Sequence, residues 1–472
     1  MHSQRDLYQA YRLTVQRIGL ALLRAQPNQP EWPLRRQNIG FLAGIMVAVL
    51  LCVGFAVFGL LRPGGTKALE EPGTLIIERE TGARFVYSQE QRRLIPVANY
   101  ASARLVLAAQ DVKERVVARE ALTKYERGAL IGIPEAPDSL PGPANLARGP
   151  WAACVQERAE PTGRKPYVTL VAGRDLGGAP LAEGNALLVD VGGQRWAIWR
   201  GTRMRVPTGI ARGLTSAVPA AVPVAWLNAL PEGPDLAAPD VRGRGRPVAG
   251  PGGRTAAVGQ VFRAAGVAGG EDRWYVLLDD GLAPLTQAQA TLLLSDPDSR
   301  AAYGGGAVRE IAVDAASANA APHSRTAVPA DGLPAVMPRM TAYDPASPIC
   351  VVYADTGTGS TRVRLTTGAK LPEPRGDATD LVRLPPGRAV LAGVLPGDGQ
   401  LNAVQSYYLV TAEGRRYAVP GADVLAKLGY APGQATPVPA NVLQLIPEGP
   451  VLDPARAARP LLEGGRSQAA GQ

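Results

Sequence analysis

Residues 39–61, IGFLAGIMVAVLLCVGFAVFGLL, carry no charged side chain. As a helix, this run of 23 residues reaches about 35 Å, enough to cross a hydrocarbon core of about 30 Å with some tilt. A cleavable signal peptide has a short basic start, an apolar run of about 7–15 residues and a small-residue cleavage site. Here 38 residues come first and Arg-Pro-Gly-Gly follows. A retained anchor fits better than a cleaved leader or the buried helix of a soluble domain.

Charge sets the expected direction. Arg5, Arg12, Arg17, Arg24, Arg35 and Arg36 precede the run against Asp6 and Glu31, whereas Arg62 and Lys67 follow it with Glu70 and Glu71. The excess of arginine predicts a cytoplasmic N-terminus and an extracytoplasmic region after the run. Residues 1–38 then form a cytoplasmic tail. Leu7, Tyr11, Val15, Ile18 and Leu22 recur at helical spacing, with Ser3 as a possible cap and Pro27 as a stop. Such an amphipathic helix suits a membrane surface or a partner's cytoplasmic domain, and Arg35 and Arg36 belong to the same docking region. In the span, Gly40 and Gly44 have the small-xxx-small spacing that lets helices approach closely, though glycine is also simply common in membrane helices.

Beyond the span the chain reads as a β-rich α+β region. The 54 Gly and 43 Pro in 472 residues indicate many turns. Residues 74–78 and 84–87 read as strands around Thr81-Gly82, and 99–107 as a short helix. Strand, tight turn, strand returns at 186–199 around Gly192-Gly193, at 273–285 around Asp280-Gly281, and at 406–420 around Glu413-Gly414. VPVAWLNALPEGPDL (222–236) aligns without a gap to VPANVLQLIPEGPVL (438–452), which points to duplication. About four repeat-like units are expected to flank a central β domain. The expected divisions are 62–150 for a first repeat and linker, 151–185 for the start of the central domain, and 186–236 for a second unit. A third unit, linkers and the rest of the central domain take 237–400, the last repeat 401–452, and a mobile tail 453–472. Residues 128–150 and 237–270 read as loops.

Catalytic chemistry leaves no trace in the sequence. There is no G-x-x-x-x-G-K-[ST] loop for phosphates and no G-x-S-x-G elbow. The two histidines, His2 and His323, have no triad-like surroundings, and no Cys/His cluster suggests a metal. TGTGS (356–360) reads as a turn, as does Asp279-Asp280, and Trp196, Trp199 and Trp274 read as core. No cofactor is expected. The net charge is +9, but arginine is interspersed with acid and no nucleic-acid motif occurs, so nucleic acid is not an expected partner. Cys52 lies in the span. Cys154 and Cys350 are open to one disulfide if their region is exported, and are ordinary small side chains if it is cytosolic.

The order of these features resembles the EccB family, the single-pass membrane component of type VII (ESX) secretion systems in actinobacteria. QAYRLTVQR, ALLRAQP and PLRR in the tail, PVANYASARLVL (96–107), IGIPEAPDSLP (131–141), WAAC (151–154) and the second Pro-Glu-Gly-Pro carry the resemblance over nearly the whole chain. It implies repeats flanking a central β-rich domain, a disulfide between Cys154 and Cys350, and a structural role; enzyme activity is not expected, because the sequence holds no nucleotide motif and the large region would face a compartment without ATP. The implied partners are an EccC-type ATPase, EccD-type and EccE-type membrane subunits, a mycosin-type protease and a second copy of the chain, in a complex that exports WXG100-type proteins. Membrane lipid is a further partner, and peptidoglycan a candidate one. The alternatives are a free-standing wall-binding membrane protein and an extracytoplasmic hydrolase or nucleotide-hydrolysing subunit.

Overall fold

The computed structural model describes residues 4–24, 35–61, 69–107, 109, 111–216, 219–266, 269–341, 343–344, 346–372, 381–395, 401 and 404–461. The chain divides into two units, Met1–Glu71 and Pro72–Gln472. Ser3, Pro27 and the flank from Arg62 to Lys67 lie outside the described residues.

The first unit holds two helices. Helix α1 (Gln4–Arg24) follows the apolar spacing of the tail. Helix α2 (Arg35–Leu61) contains the whole uncharged run and begins four residues earlier than the run itself, in the basic pair. Within it Ile39–Val57 has a mean hydropathy of 2.6, and none of that stretch is buried. An apolar surface on all sides of an unburied helix is what a lipid environment requires.

In the second unit four sheets share one connectivity. Thr74–Glu78, Arg84–Ser88 and Arg93–Val97 form an antiparallel meander. The helix Tyr100–Leu107 crosses over, and Lys113–Val117 returns parallel to the first strand. The same path recurs in Asn185–Val191, Gln194–Trp199, Thr202–Val206, helix Thr208–Leu214 and Ala220–Ala221. It recurs again in Val261–Ala264, Arg273–Leu278, Gly281–Leu285, helix Gln287–Ser295 and Ile311–Val313. Its last instance is Val390–Leu395, Tyr407–Val410, Arg416–Val419, helix Ala422–Leu428 and Thr436–Pro439. The second sheet gains Arg339–Thr341 as a fifth strand.

Each path then closes in the same way. A short helix follows the fourth strand: Arg119–Leu122, Val224–Asn228, Ala315–Ala320 and Ala440–Leu443 in turn. The chain next comes back along the third strand and brackets one residue with two backbone hydrogen bonds. In the second sheet Arg203 N–H donates to the Pro231 carbonyl at 2.9 Å and Gly233 N–H to the Arg203 carbonyl at 2.9 Å. The fourth repeats this between Arg416 and Pro447 at 2.9 Å and between Gly449 and Arg416 at 2.8 Å. Leu94 is bracketed by Glu126 and Gly128, and Leu282 by Pro322 and Ser324. The third-strand edge, which would otherwise expose unpaired backbone groups, is thereby covered.

Turn chemistry explains the hairpins. Gly192 and Gly193 both have positive φ (61° and 88°) between the paired residues Val191 and Gln194, as a two-residue loop matching strand twist requires. In the third sheet the loop residues are Asp279 and Asp280, because Leu278 pairs with Gly281. The expected Asp280-Gly281 turn is therefore displaced by one residue. Gly281 opens the next strand with φ 139°, where a Cβ would collide with the Pro322 carbonyl of the returning segment.

The central sheet has six strands in the order Leu381–Arg383, Gly163–Ala172, Trp151–Glu160, Ile349–Tyr353, Arg364–Thr367 and Ala179–Pro180. One continuous core joins it to the second and fourth sheets through Trp151, Leu170, Ile198, Trp226, Val351 and Val442. A second core joins the helix of the first sheet to the fourth sheet through Leu105, Leu409 and Leu425. A third joins the second and third sheets through Met204, Ile210 and Leu292.

Three stretches differ from the sequence reading. Residues 237–270, expected as a loop, hold the small sheet of Pro247–Ala249 with Thr255–Ala257 and the first strand of the third sheet. The fourth sheet begins at Val390, ahead of the expected division at 401, and the expected tail holds the helix Pro454–Ala457 before the described residues end at 461. Dense Gly and Pro hide these short strands from a pattern read over neighbours in sequence.

Candidate functional site

The features singled out in the sequence lie in three places. The first is α1. Leu7, Tyr11, Val15 and Ile18 are all at least half exposed, so their stripe has no cover within this unit. A one-sided apolar helix of this kind stays in water only if something else buries it. Arg35 and Arg36 open α2, and their side chains lie outside the described residues.

The second place is the span. A Cβ added at Gly40 or at Gly44 would meet nothing within 4 Å. One turn apart, the two glycines mark a smooth strip on α2 that a second helix could approach. Cys52, also on α2, is a free thiol.

The third is the central sheet. Cys154 and Cys350 are register partners on neighbouring antiparallel strands, and a disulfide joins them across a sequence separation of 196 residues. Both are fully buried, beside Ala152, Val171, Leu176 and Ala369. Cross-linking a loop of that size removes unfolded-chain entropy worth about 5 kcal/mol in the simplest model. The bond thus fastens the strand before the second and third sheets to the strand after them.

Around that sheet, polar groups serve packing. Tyr353 Oη donates to the Ala229 carbonyl at 2.7 Å and accepts from Asn441 Nδ2 at 2.8 Å, and burial pushes its phenol up to about 12. Trp226 Nε1 donates to the Ala153 carbonyl at 3.0 Å. Sequence reasoning missed these contacts. Trp196, Trp199 and Trp274, read as core, are half-buried and pack against the core from its margin, each with an arginine over its ring: Arg203 at 5.6 Å, Arg200 at 4.7 Å and Arg263 at 5.9 Å. Among the described residues the fully buried tryptophans are Trp151 and Trp226. TGTGS forms a turn of 3-10 helix at Thr356–Thr358. Asp279 pairs with Arg246, and Asp280 accepts from the Arg325 amide at 2.9 Å. Among the described residues no group of three or more His, Cys, Asp and Glu could hold a metal ion.

One apolar span, an uncovered helix stripe and a large multi-sheet region define a class: a membrane-anchored protein that works through its surfaces. Residues 2–460 match the family described as type VII secretion system ESX-1, transport TM domain B. The chain belongs to this family, EccB. The ESX-2 secretion system ATPase EccB2 of Mycobacterium tuberculosis is 31% identical over 454 residues, spanning 88% of this chain and 87% of that protein. The ESX-3 secretion system ATPase EccB3 of the same organism is 27% identical over 491 residues, spanning 95% and 87%. In solved structures the fold resembles a chain of an intact ESX-5 inner membrane complex, with TM-score 0.63 and 23% identity over 100% of this chain and 98% of that one. It also resembles the EccB3 dimer of the ESX-3 core complex, with TM-score 0.61 and 24% identity over 81% and 99%.

EccB proteins are scaffold subunits of the ESX inner-membrane complex. The relatives' names carry the word ATPase; this chain has no Gly-Lys dipeptide and hence no phosphate loop of the G-x-x-x-x-G-K-[ST] kind. The protein is an inner-membrane, single-pass chain with an extracytoplasmic domain.

Proposed function

We propose that this chain assembles the translocon by holding parts on both sides of the membrane. The arginine excess before the span supports a cytoplasmic N-terminus. The α1 stripe then docks Leu7, Tyr11, Val15 and Ile18 on an EccC-type ATPase or on EccD-type and EccE-type subunits, with Arg35 and Arg36 at the lipid headgroups. Gly40 and Gly44 seat a neighbouring membrane helix. The extracytoplasmic region meets a second copy and a mycosin-type protease.

The shared connectivity and closure of the four sheets, with the gapless Pro-Glu-Gly-Pro match, support an origin by duplication, so the four are repeat units around a central domain. The observation that carries the scaffold reading is the uncovered α1 stripe on a chain whose buried polar groups serve packing. Deleting the gene tests it. A scaffold's loss disperses the remaining membrane subunits and stops export of WXG100-type proteins together. Loss of export from an otherwise intact complex would contradict this reading.

A further inference from the structure

The two duplicated elements face one another at the end of the strand Ile349–Tyr353. Helices Val224–Asn228 and Ala440–Leu443, each leading into its Pro-Glu-Gly-Pro segment, wall a cavity of about 580 Å³. Leu230, Leu395 and Pro439 give it a buried apolar lining, while Asn228 and Gln444 are exposed at it.

Hydrogen bonding within the protein decides what the amides have left to offer. Tyr353 donates its proton to the Ala229 carbonyl, so Asn441 must present Nδ2 to the Tyr353 oxygen and to the same carbonyl at 2.9 Å. The Asn441 carbonyl oxygen is left as a free acceptor. Asn228 Oδ1 accepts from Arg203 at 2.6 Å, which leaves its amide protons as free donors. The Gln444 amide makes no side-chain hydrogen bond among the described residues, and it keeps both functions. Arg203 and Glu232, the only charged residues among the described residues of the lining, form an ion pair at 3.0 Å.

That inventory is selective. A phosphate needs uncompensated cations, and here the one guanidinium is paired. A sugar ring needs an exposed aromatic face, whereas the single aromatic among the described lining residues, Tyr353, is 1% exposed. Neutral donors and acceptors side by side over an apolar lining match the alternating N–H and C=O of an extended backbone. We propose that this cleft binds an extended, uncharged peptide segment, with Asn228 donating to its backbone, Asn441 accepting from it and Gln444 doing both. An occupant would touch the second and fourth sheets at once.

The test uses the full-length protein in lipid nanodiscs and saturation-transfer NMR. The probes are capped hexapeptides of Gly, Ala, Ser, Thr and Asn, matched peptides carrying two Asp or two Lys, and N-acetylglucosamine. Uncharged peptides should bind at least about fivefold more tightly than charged ones. Gln444→Ala should weaken binding by about 30-fold, the effect of two neutral hydrogen bonds, and Gln444→Trp should abolish it by filling the cleft. Gln444 is exposed, so an unchanged melting curve is expected of both variants. Equal binding of charged peptides, binding that survives Gln444→Trp, preference for N-acetylglucosamine, or no binding of any uncharged peptide would overturn the proposal.

Discussion

Tyr353 joins three parts of the extracytoplasmic region at one oxygen: its own strand, the carbonyl at Ala229 and the amide of Asn441. Tyr353→Phe removes a buried hydrogen bond and should cost about 1–2 kcal/mol of stability by denaturant titration at neutral pH. The pH dependence has a definite sign. The folded protein keeps the phenol proton up to about 12, whereas an unfolded chain releases it near 10. This contribution is fully present below pH 10 and is lost as pH rises toward 12, so Tyr353→Phe should show a shallower alkaline decline. Glu78 acts in the opposite range. Hydrogen bonds from the Thr81 hydroxyl and from Arg119 hold its carboxyl below the ordinary 4.5. Its contribution is present above that pH and fades as pH falls below it, and Thr81→Ala should blunt the acid loss in a pH series of melting curves. None of the Tyr353 contacts was legible in the sequence, because Tyr353 and Ala229 lie 124 residues apart and no local pattern records such a pairing.

Hairpins were legible because both of their determinants, alternation and turn glycines, are local. Thr74–Glu78 falls where the alternation places it. The parallel fourth strands were not legible. Ala220–Ala221 is two residues long, too short for periodicity, and is fixed by its partners at Val189 and Asp190. The third sheet's closure escaped notice because Pro322, His323 and Ser324 replace Pro-Glu-Gly at the same structural position. Two element-level outcomes follow from the account. Replacing Leu7, Tyr11, Val15 and Ile18 together with serine should leave the chain in the membrane fraction, since α2 is untouched, and should cut co-purification of the other complex subunits at least tenfold, as read by quantitative mass spectrometry. Replacing Cys154 and Cys350 with serine should destabilise the extracytoplasmic region by several kcal/mol, with about 5 as the ceiling, by denaturant titration under non-reducing conditions.

For the molecule as a whole, anchoring and family were legible in one uncharged run and a few ordered strings, because lipid imposes a length that soluble helices rarely meet. The arrangement of sheets was legible only in part. The hairpin signals marked all four recurring paths and the Pro-Glu-Gly-Pro match tied two of them together, whereas the fourth strands and the packing of one sheet on another emerge only from the structure. The chain thus combines a multi-sheet extracytoplasmic region cross-linked at its centre, one apolar span and a helix with an uncovered apolar stripe. These are the parts of a scaffold, and the central claim is that the chain works as one within a type VII complex. Gentle detergent extraction from the native membrane, affinity purification on this chain and mass spectrometry of the eluate test that claim most directly. The account predicts one large assembly containing an EccC-type ATPase with EccD-type and EccE-type subunits. Recovery of this chain alone or solely as its own dimer, from extracts in which those subunits remain assembled with one another, would contradict it.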